Sequence, residues 1–595
     1  MAFRPLFGAF KRTGTSITSR WRATGASFST LLVGTWSARR AFFQLVPRDM
    51  RTADPTRASE WIEGYIALAD GVIELKGRRL FDIPPPTDAF ARELHSFEWL
   101  HHLRAYELAS TSAKEAQTIA ADHAREHVLG WIATRNKHPS LAHTPTMAAR
   151  RALALTNHAA FLLDAADPQD YRTIMASILA DTQFAFTRRA LVEDPTEQCL
   201  LILACTSVAH ALSDHVALRQ KTRDALTEAL KTTFNADGGP RTRRAGDLPP
   251  LLASMLSLKA LMEARGLNAP QRLLQWIENG QRMLRMLRHP DGTLARFQGT
   301  RSIMALETDL IATILFFDTE RGPLPILAQQ TGYARLEAPN SVLLIDCGGA
   351  PPLEASRQAH ASTLAFEWSY DATKIITNAP EIGYTVDADL LDQRRTPAHS
   401  TLCVGGVSSS TFPEARADSP LVASGLAVAA EKSADAPTRG FRARHTGYRQ
   451  KFGVDHARTL SLSDNGRMVE GHDQLLLPSG AVAASNRNPF TLAFQLQPGA
   501  RVRSEGDRRI RIMMRHHTIM FEIETGTAKI VDPTDRPTYR GPSRARRIVV
   551  DGPTAGPAEV RWRFIVQMGG GFETATSVEA PKAQAEENED ASSPD

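Results

Sequence analysis

The chain lacks several features that would each point to a chemistry. Its 595 residues include four cysteines, Cys199, Cys205, Cys347 and Cys403. No Cys-x-x-Cys spacing or regular framework joins them, which argues against a thiolate metal knuckle and a disulfide scaffold, and they read as buried thiols. Long apolar runs are missing too. The best N-terminal stretch, Phe28 to Trp36, is broken by Ser, Thr and Gly, so neither a secretory signal nor a membrane span is indicated. No Gly-rich phosphate loop, Gly-x-Ser-x-Gly elbow or cysteine nucleophile motif is present. Charge of one sign is scarce: 70 Lys and Arg against 65 Asp and Glu leave +5. With no basic-aromatic face, that balance disfavours nucleic acid as a partner.

The charge that is present is unevenly laid out. No acid precedes Asp49, whereas Arg4, Lys11, Arg12, Arg20 and Arg22 interleave with Phe3, Phe7, Phe10 and Trp21. This basic arm, residues 1–44, either lies on an anionic membrane face as a peripheral contact or packs in part on the neighbouring domain. At the other end, residues 575–595 carry Glu586, Glu587, Glu589, Asp590 and Asp595 and read as a disordered acidic tail.

Between arm and tail the texture changes once. From about Ala91 to Gly332 the sequence is rich in Ala and Leu, with apolar positions three and four apart in Glu197 to Leu218, Leu251 to Ala264 and Pro270 to Leu287. Breakers stand between helical segments at Asp167-Pro168, Asp194-Pro195, Gly238-Gly239-Pro240 and Pro249-Pro250. Residues 333–574 instead hold short runs rich in β-branched and aromatic residues: Ser341 to Asp346, Thr363 to Trp368, Lys374 to Thr377, Thr401 to Val404, Thr491 to Leu496, Ile510 to Met514, Thr518 to Ile523 and Ala558 to Val566. A helical domain followed by a mostly antiparallel β-sandwich is expected, an α+β multidomain chain. His360 heads one such run and His399 another, which predicts that both enter strands of one sheet and are neighbours in space.

Motifs follow a recognisable order. Leu94-His95-Ser-Phe97-Glu-Trp99-Leu100, Asn235-Ala-Asp237-Gly238-Gly239, Asp291-Gly292 through Phe297-Gln-Gly299, Arg357-Gln-Ala-His360 and Pro397-Ala-His399-Ser together resemble the bacterial heparinase II/III-like polysaccharide lyases. The resemblance runs from about Leu45 to Val566. It implies an α/α toroid over 45–332 and a β-sandwich over 333–574. It also implies residence in the cell envelope or periplasm, although the N-terminus leaves the cytoplasm open. Such lyases break an acidic, uronate-containing, glycosaminoglycan-like polysaccharide by β-elimination: a base takes the proton beside the carboxyl, donors stabilise the doubly charged intermediate, and an acid protonates the leaving oxygen.

Carried over residue by residue, the resemblance makes His360, Asn235 and Gln358 the candidate catalytic groups. Asn235 is equally a turn residue beside two glycines. Gln358 stands where the family has a histidine and cannot act as a base near neutral pH. Pro240 likewise replaces a histidine, and the toroid tyrosine is missing, since none lies between Tyr171 and Tyr333. Arg241, Arg243 and Arg244 are candidates for binding a substrate carboxylate, or form a solvated basic loop. His360, Asn378 and His399 occupy the positions of a structural zinc site, the candidate cofactor; two imidazoles and an amide make a weak one, and a hydrogen-bonded histidine pair pinning two strands is the alternative. The expected function is therefore a lyase acting on acidic polysaccharide. The alternative is a catalytically altered member that binds polysaccharide or supports envelope assembly.

Overall fold

The Asp-Pro pairs read above as breakers start helices, and Thr144-Pro145 does the same. Asp167, Asp194 and Thr144 each accept a hydrogen bond from a first-turn amide while proline takes the first helical position, where its missing N–H costs nothing. The computed structural model describes residues 41–567 except 70, 110–113, 301–304, 320–321, 379–386, 423–425, 433–439, 485–488, 533–535, 539–540 and 544. Residues 1–40 of the arm and the whole acidic tail lie outside the described residues.

The helical half contains α1 (Pro55–Ile62), α2 (Asp88–Ser96), α3 (Leu100–Ala109), α4 (Lys114–Ala133), α5 (Pro145–Asn157), α6 (Ala159–Leu163), α7 (Pro168–Arg188), α8 (Pro195–Ala211), α9 (Val216–Thr233), α10 (Leu248–Ala264), α11 (Gln271–Met286) and α12 (Ala305–Phe316). The run expected from Glu197 to Leu218 splits into α8 and α9. The reason is tertiary: Leu212 is extended, Phe43 bridges to it, and Ser213 N–H donates to the Phe42 carbonyl at 3.1 Å. The edge of the arm thus takes the backbone groups a continuous helix would need. A small hairpin, β1 (Tyr65–Leu68) with β2 (Gly71–Glu74), sits early in this half.

The sheet half has two antiparallel layers. The nine-stranded sheet contains β3 (Leu327–Ala328), β4 (Tyr333–Ala338), β5 (Ser341–Asp346), β6 (Phe366–Tyr370), β7 (Thr373–Thr377), β8 (Leu402–Val404), β13 (Phe490–Leu496), β17 (Thr527–Val531) and β20 (Arg547–Asp551). The eight-stranded sheet contains β9 (Val428–Lys432), β10 (Gly440–His445), β11 (Asp455–Leu462), β12 (Met468–Leu476), β14 (Arg501–Ser504), β15 (Arg509–Met513), β16 (Thr518–Ile523) and β21 (Glu559–Gln567). Short β18 (Arg536–Thr538) and β19 (Gly541–Ser543) pair separately.

One core lies between the sheets, where Trp368, Phe366, Phe494, Trp562 and Phe564 pack. A second core joins Tyr333, Val342, Leu344 and Ala365 of the nine-stranded sheet to toroid residues such as Phe297, Leu284 and Leu248. The order of layers is toroid, nine-stranded sheet, eight-stranded sheet. Every residue of β6 is consequently buried, on both faces, so the side chains alternating along it separate two cores, with no face left to solvent. A turn closes before that strand, with Leu364 at φ 63° and its N–H donating to the Asp346 carbonyl at 2.7 Å. His360 is therefore in the loop ahead of β6, and His399 in the loop ahead of β8, rather than within the strands.

Candidate functional site

The toroid loop 234–247 reaches the sheet through Asp237, whose carboxylate accepts from the backbone N–H of Gln330 (3.0 Å) and Thr331 (2.8 Å) and from the Thr331 hydroxyl. Asn235 Nδ2 donates to Thr331 Oγ1 at 3.4 Å. Side chains at Gly238 and Gly239 would collide with Asn279 and Thr331, which is why the loop can lie so close. Its amide is thus engaged with the loop's own anchor, in keeping with the turn reading. A cleft of about 260 Å³ lined by Asp237, Arg282, Met286 and Gln330 lies beside this anchor.

Asp346, at the end of β5, gathers the junction. Arg243 donates to its Oδ1 and to the Gly332 carbonyl (2.9 Å), and Arg243 Nε donates to the Thr331 carbonyl (2.7 Å). Ser362 (2.6 Å) and Gln298 Nε2 (2.8 Å) donate to Oδ2. Gly332 and Gly348 leave the slot the guanidinium fills, since a Cβ at Gly348 would strike it. Tyr333 is buried with its hydroxyl donating to the Arg243 carbonyl. Burial pushes its pKa well above the usual value, so it is no proton shuttle. Arg244 is paired as well, with Asp194 at 2.8 Å and Asp247 at 3.0 Å. Of the three arginines expected to bind carboxylate, two are therefore buried in ion pairs of the protein, and Arg241 is the exposed one.

Gln298 leads to the histidines. Its Oε1 accepts from the His360 backbone N–H at 3.1 Å. His360 Nδ1 faces His399 Nε2 at 3.2 Å, so the two are neighbours as expected. His399 is fully buried, and burial lowers its pKa to about 3, against a weak opposing pull from Glu367 and the Gln393 carbonyl. His399 Nδ1 is buried without a hydrogen-bond partner, and His360 Nε2 bonds to no described residue, so the contact between the two rings is the one hydrogen bond the imidazoles make. His360 is partly exposed. Burial, His399 and Arg394 lower its pKa well below the usual value, so it is neutral at pH 7. A Cβ on Gly299 would lie 3.5 Å from His360 Nε2 and 2.5 Å from the Gln358 carbonyl oxygen, at φ 81°. Exposed Gln358 and Gly299 thus flank this nitrogen.

Asn378 is turned away from the imidazoles. Its Oδ1 accepts from Ser400 N–H at 3.0 Å and its Nδ2 donates to Glu367 Oε1 at 3.2 Å. Among the described residues no group of three His, Cys, Asp or Glu is placed to hold a metal. The donor set is two imidazoles already facing each other, without an anionic ligand, and it does not fit a closed zinc site. The histidine pair pinning two loops is the arrangement found.

Further polar residues carry much of the junction. His289 Nε2 meets Glu367 Oε2 at 2.9 Å and Ser369 meets His289 Nδ1 at 2.7 Å. Arg394 donates to the carbonyls of Ala359 (2.9 Å) and Ser356 (3.1 Å) and shapes the His360 loop. Deeper in the sandwich His445 Nε2 meets His456 Nδ1 at 3.2 Å, and His456 Nε2 meets Asp473 at 2.6 Å. Gly348-Gly349 beside Asp346 was the available signal for the Arg243 slot; Gln298 falls within the Phe297-Gln-Gly299 motif, and nothing local marks Arg394.

Comparison with known proteins agrees with this layout. Residues 320–563 match the heparinase II/III-like, C-terminal family. The chain is 27% identical over 474 residues to the FtsZ-localized protein C of Caulobacter vibrioides, covering 76% of this chain and 78% of that one. The crystal structure of heparinase III superposes with a TM-score of 0.64 at 13% identity, over 92% of this chain and 90% of that one. A mutant of heparan sulfate lyase HepC from Pedobacter heparinus superposes with a TM-score of 0.55 at 13% identity, over 93% and 91%. Those two likenesses establish the fold, toroid plus β-sandwich, and residues 320–563 form a heparinase II/III-like C-terminal domain.

Proposed function

We propose that this chain is a catalytically altered heparinase-like protein that works by binding in an envelope or division assembly and does not cleave polysaccharide. One observation carries the reading: the polar groups at the toroid–sheet junction are spent on the protein itself. Arg243 and Arg244 are neutralised by Asp346, Asp194 and Asp247, Tyr333 is locked to a backbone carbonyl, and no further tyrosine among the described residues bonds to the His360 loop. β-Elimination needs a base, a charge-relieving donor and an acid at one carbon centre, and here a neutral His360 stands without the other two. The relative named for localising with FtsZ supports an assembly role. The test pairs two measurements. Purified protein mixed with a panel of uronate polymers is expected to give no rise in ultraviolet absorbance at the unsaturated-uronate band. A fluorescent fusion is expected to follow FtsZ. Steady product formation, with diffuse localisation, would overturn the reading.

A second reading has its own support. His360 Nε2 has no hydrogen-bond partner among the described residues and lies beside Gly299, which leaves it available as the general base for cleavage of acidic polysaccharide, in the cell envelope or periplasm. Under it, His360→Ala abolishes turnover in a protein that still folds.

A further inference from the structure

Contacts at the toroid–sheet junction close into a ring. Arg244 pairs with Asp194 and Asp247, Gly246 N–H donates to Thr300 Oγ1 at 3.3 Å, and the Gly299 backbone lies against the Gln358 carbonyl, near His360 Nε2. Arg357, the residue before Gln358, donates to Glu193, the residue before Asp194, and the ring is complete. This last link differs from the rest. The side chains of Asp194, Arg244 and Asp247 are 27%, 8% and 13% exposed, whereas those of Glu193 and Arg357 are 68% and 49% exposed. Leu191 and Leu353, on the same two loops, stay 72% and 60% exposed, so they add no apolar packing to it.

Arg357 Nε and Nη2 both donate to one oxygen, Glu193 Oε2, at 3.2 and 2.9 Å. A carboxylate that met the guanidinium fork with both oxygens would be held better, and an exposed pair of this kind is weak and screened by salt. Arg243 and Arg244 are committed to carboxylates inside the junction. Arg357, three residues from His360, can change partner. We propose that Glu193 is a built-in competitor at the mouth of the His360 site: it holds Arg357 and keeps the ring shut until the carboxylate of an acidic ligand takes its place. The latch rests on the binding role proposed above and needs no cleavage.

Diethyl pyrocarbonate, which acylates neutral imidazole, reads the ring without a ligand. Its rate at His360, followed by peptide mass spectrometry, is expected to rise severalfold in Glu193→Gln, and in the parent near about 0.5 M salt, where screening is short. Glu193→Gln should lose the salt dependence, and the charge exchange Glu193→Arg with Arg357→Glu should return the parent rate. Equal rates in the parent and Glu193→Gln, or no recovery in the exchanged pair, would overturn the latch. Labelled polygalacturonate tests the competition. Glu193→Gln is expected to bind it severalfold more tightly than the parent, and adding Arg357→Gln to cancel the gain. Glu228→Gln, the same charge change on the exposed side of α9, should match the parent. Equal affinity of Glu193→Gln and Glu228→Gln, or no binding by any variant, would overturn the competition. Product formation or diffuse localisation would count against the binding role and leave the acylation result standing.

Discussion

Two histidine pairs in this molecule share a 3.2 Å ring-to-ring contact and differ in where the chain of bonds ends. In the sandwich core, Gly447 N–H donates to His445 Nδ1 at 3.1 Å, His445 donates on to His456, and His456 to Asp473, which is also held by Arg458 at 2.8 Å and Trp562 at 2.8 Å. Every polar end is used. Burial opposes the charge on Asp473, but Arg458 and His456 outweigh it and keep the carboxyl ionised far below its usual range. The His360–His399 pair has no carboxylate, and both outer ring nitrogens, the buried His399 Nδ1 and His360 Nε2 at the domain junction, lack a hydrogen-bond partner. A closed chain is structural; an open one can receive something.

That contrast breaks first under Asp473→Ala. The change leaves the fully buried Arg458 without its partner, and thermal melting should show a loss of about 3–5 kcal/mol or an insoluble protein. Arg243→Ala should cost about 3 kcal/mol for the same reason, by uncovering Asp346. Arg243→Lys is not expected to restore it, because one ammonium cannot replace a fork that reaches Asp346, Thr331 and Gly332 together. If either variant melts like the parent, the junction is less tightly bound than its geometry implies.

Acid separates the regions by window. Burial keeps His399 and His95 neutral with pKa about 3, and His289 about 4, against about 6.5 in an unfolded chain. The unfolded state therefore binds more protons below pH 6.5, and stability falls as pH drops from about 6.5 toward 3–4. Glu367, lowered to about 2 by Lys374 and His289 against the effect of burial, adds its loss only below about pH 4.5. His399→Gln should flatten the upper window by up to roughly 1.4 kcal/mol per pH unit. An unchanged melting profile between pH 6.5 and 4 would mean that His399 is protonated in the folded state.

His360→Ala should cost about 1 kcal/mol or less, since it removes one neutral hydrogen bond at a partly exposed site; a loss like that of Asp473→Ala would make both pairs structural. Smallest of all, a chelator is expected to leave the melting temperature unchanged. A clear fall, with metal found by elemental analysis, would restore zinc between His360 and His399.

The strands Ser341–Asp346 and Thr518–Ile523 were legible residue for residue, because β-branched runs between turn residues carry their own signal. The closeness of His360 and His399 was legible too, from two runs of one sheet each headed by a histidine, although both lie in the loops ahead of the strands. What was not legible depends on partners far along the chain. Arg243 reads as a basic loop residue until Asp346, 103 positions later, is seen to neutralise it. Asn378 reads as a ligand until Ser400 and Glu367 claim its amide. The break after Ala211 comes from the arm. Charge and amide direction are settled by tertiary contact, which local pattern does not encode.

The nine-stranded sheet has a consequence for any attempt to take the protein apart. Because one of its faces is the floor of the toroid, a fragment carrying only the matched region, 320–563, would expose Tyr333, Val342, Leu344 and Ala365 to water as a raw hydrophobic wall. It would also lose the final strand of the other sheet beyond Arg563, although β21 runs to Gln567. Such a piece would be expected to self-associate, so the limits of sequence likeness are not those of a separable folding unit. Loss of catalysis would then leave the sheet under selection from both of its neighbours, and change would be tolerated mainly in the loops.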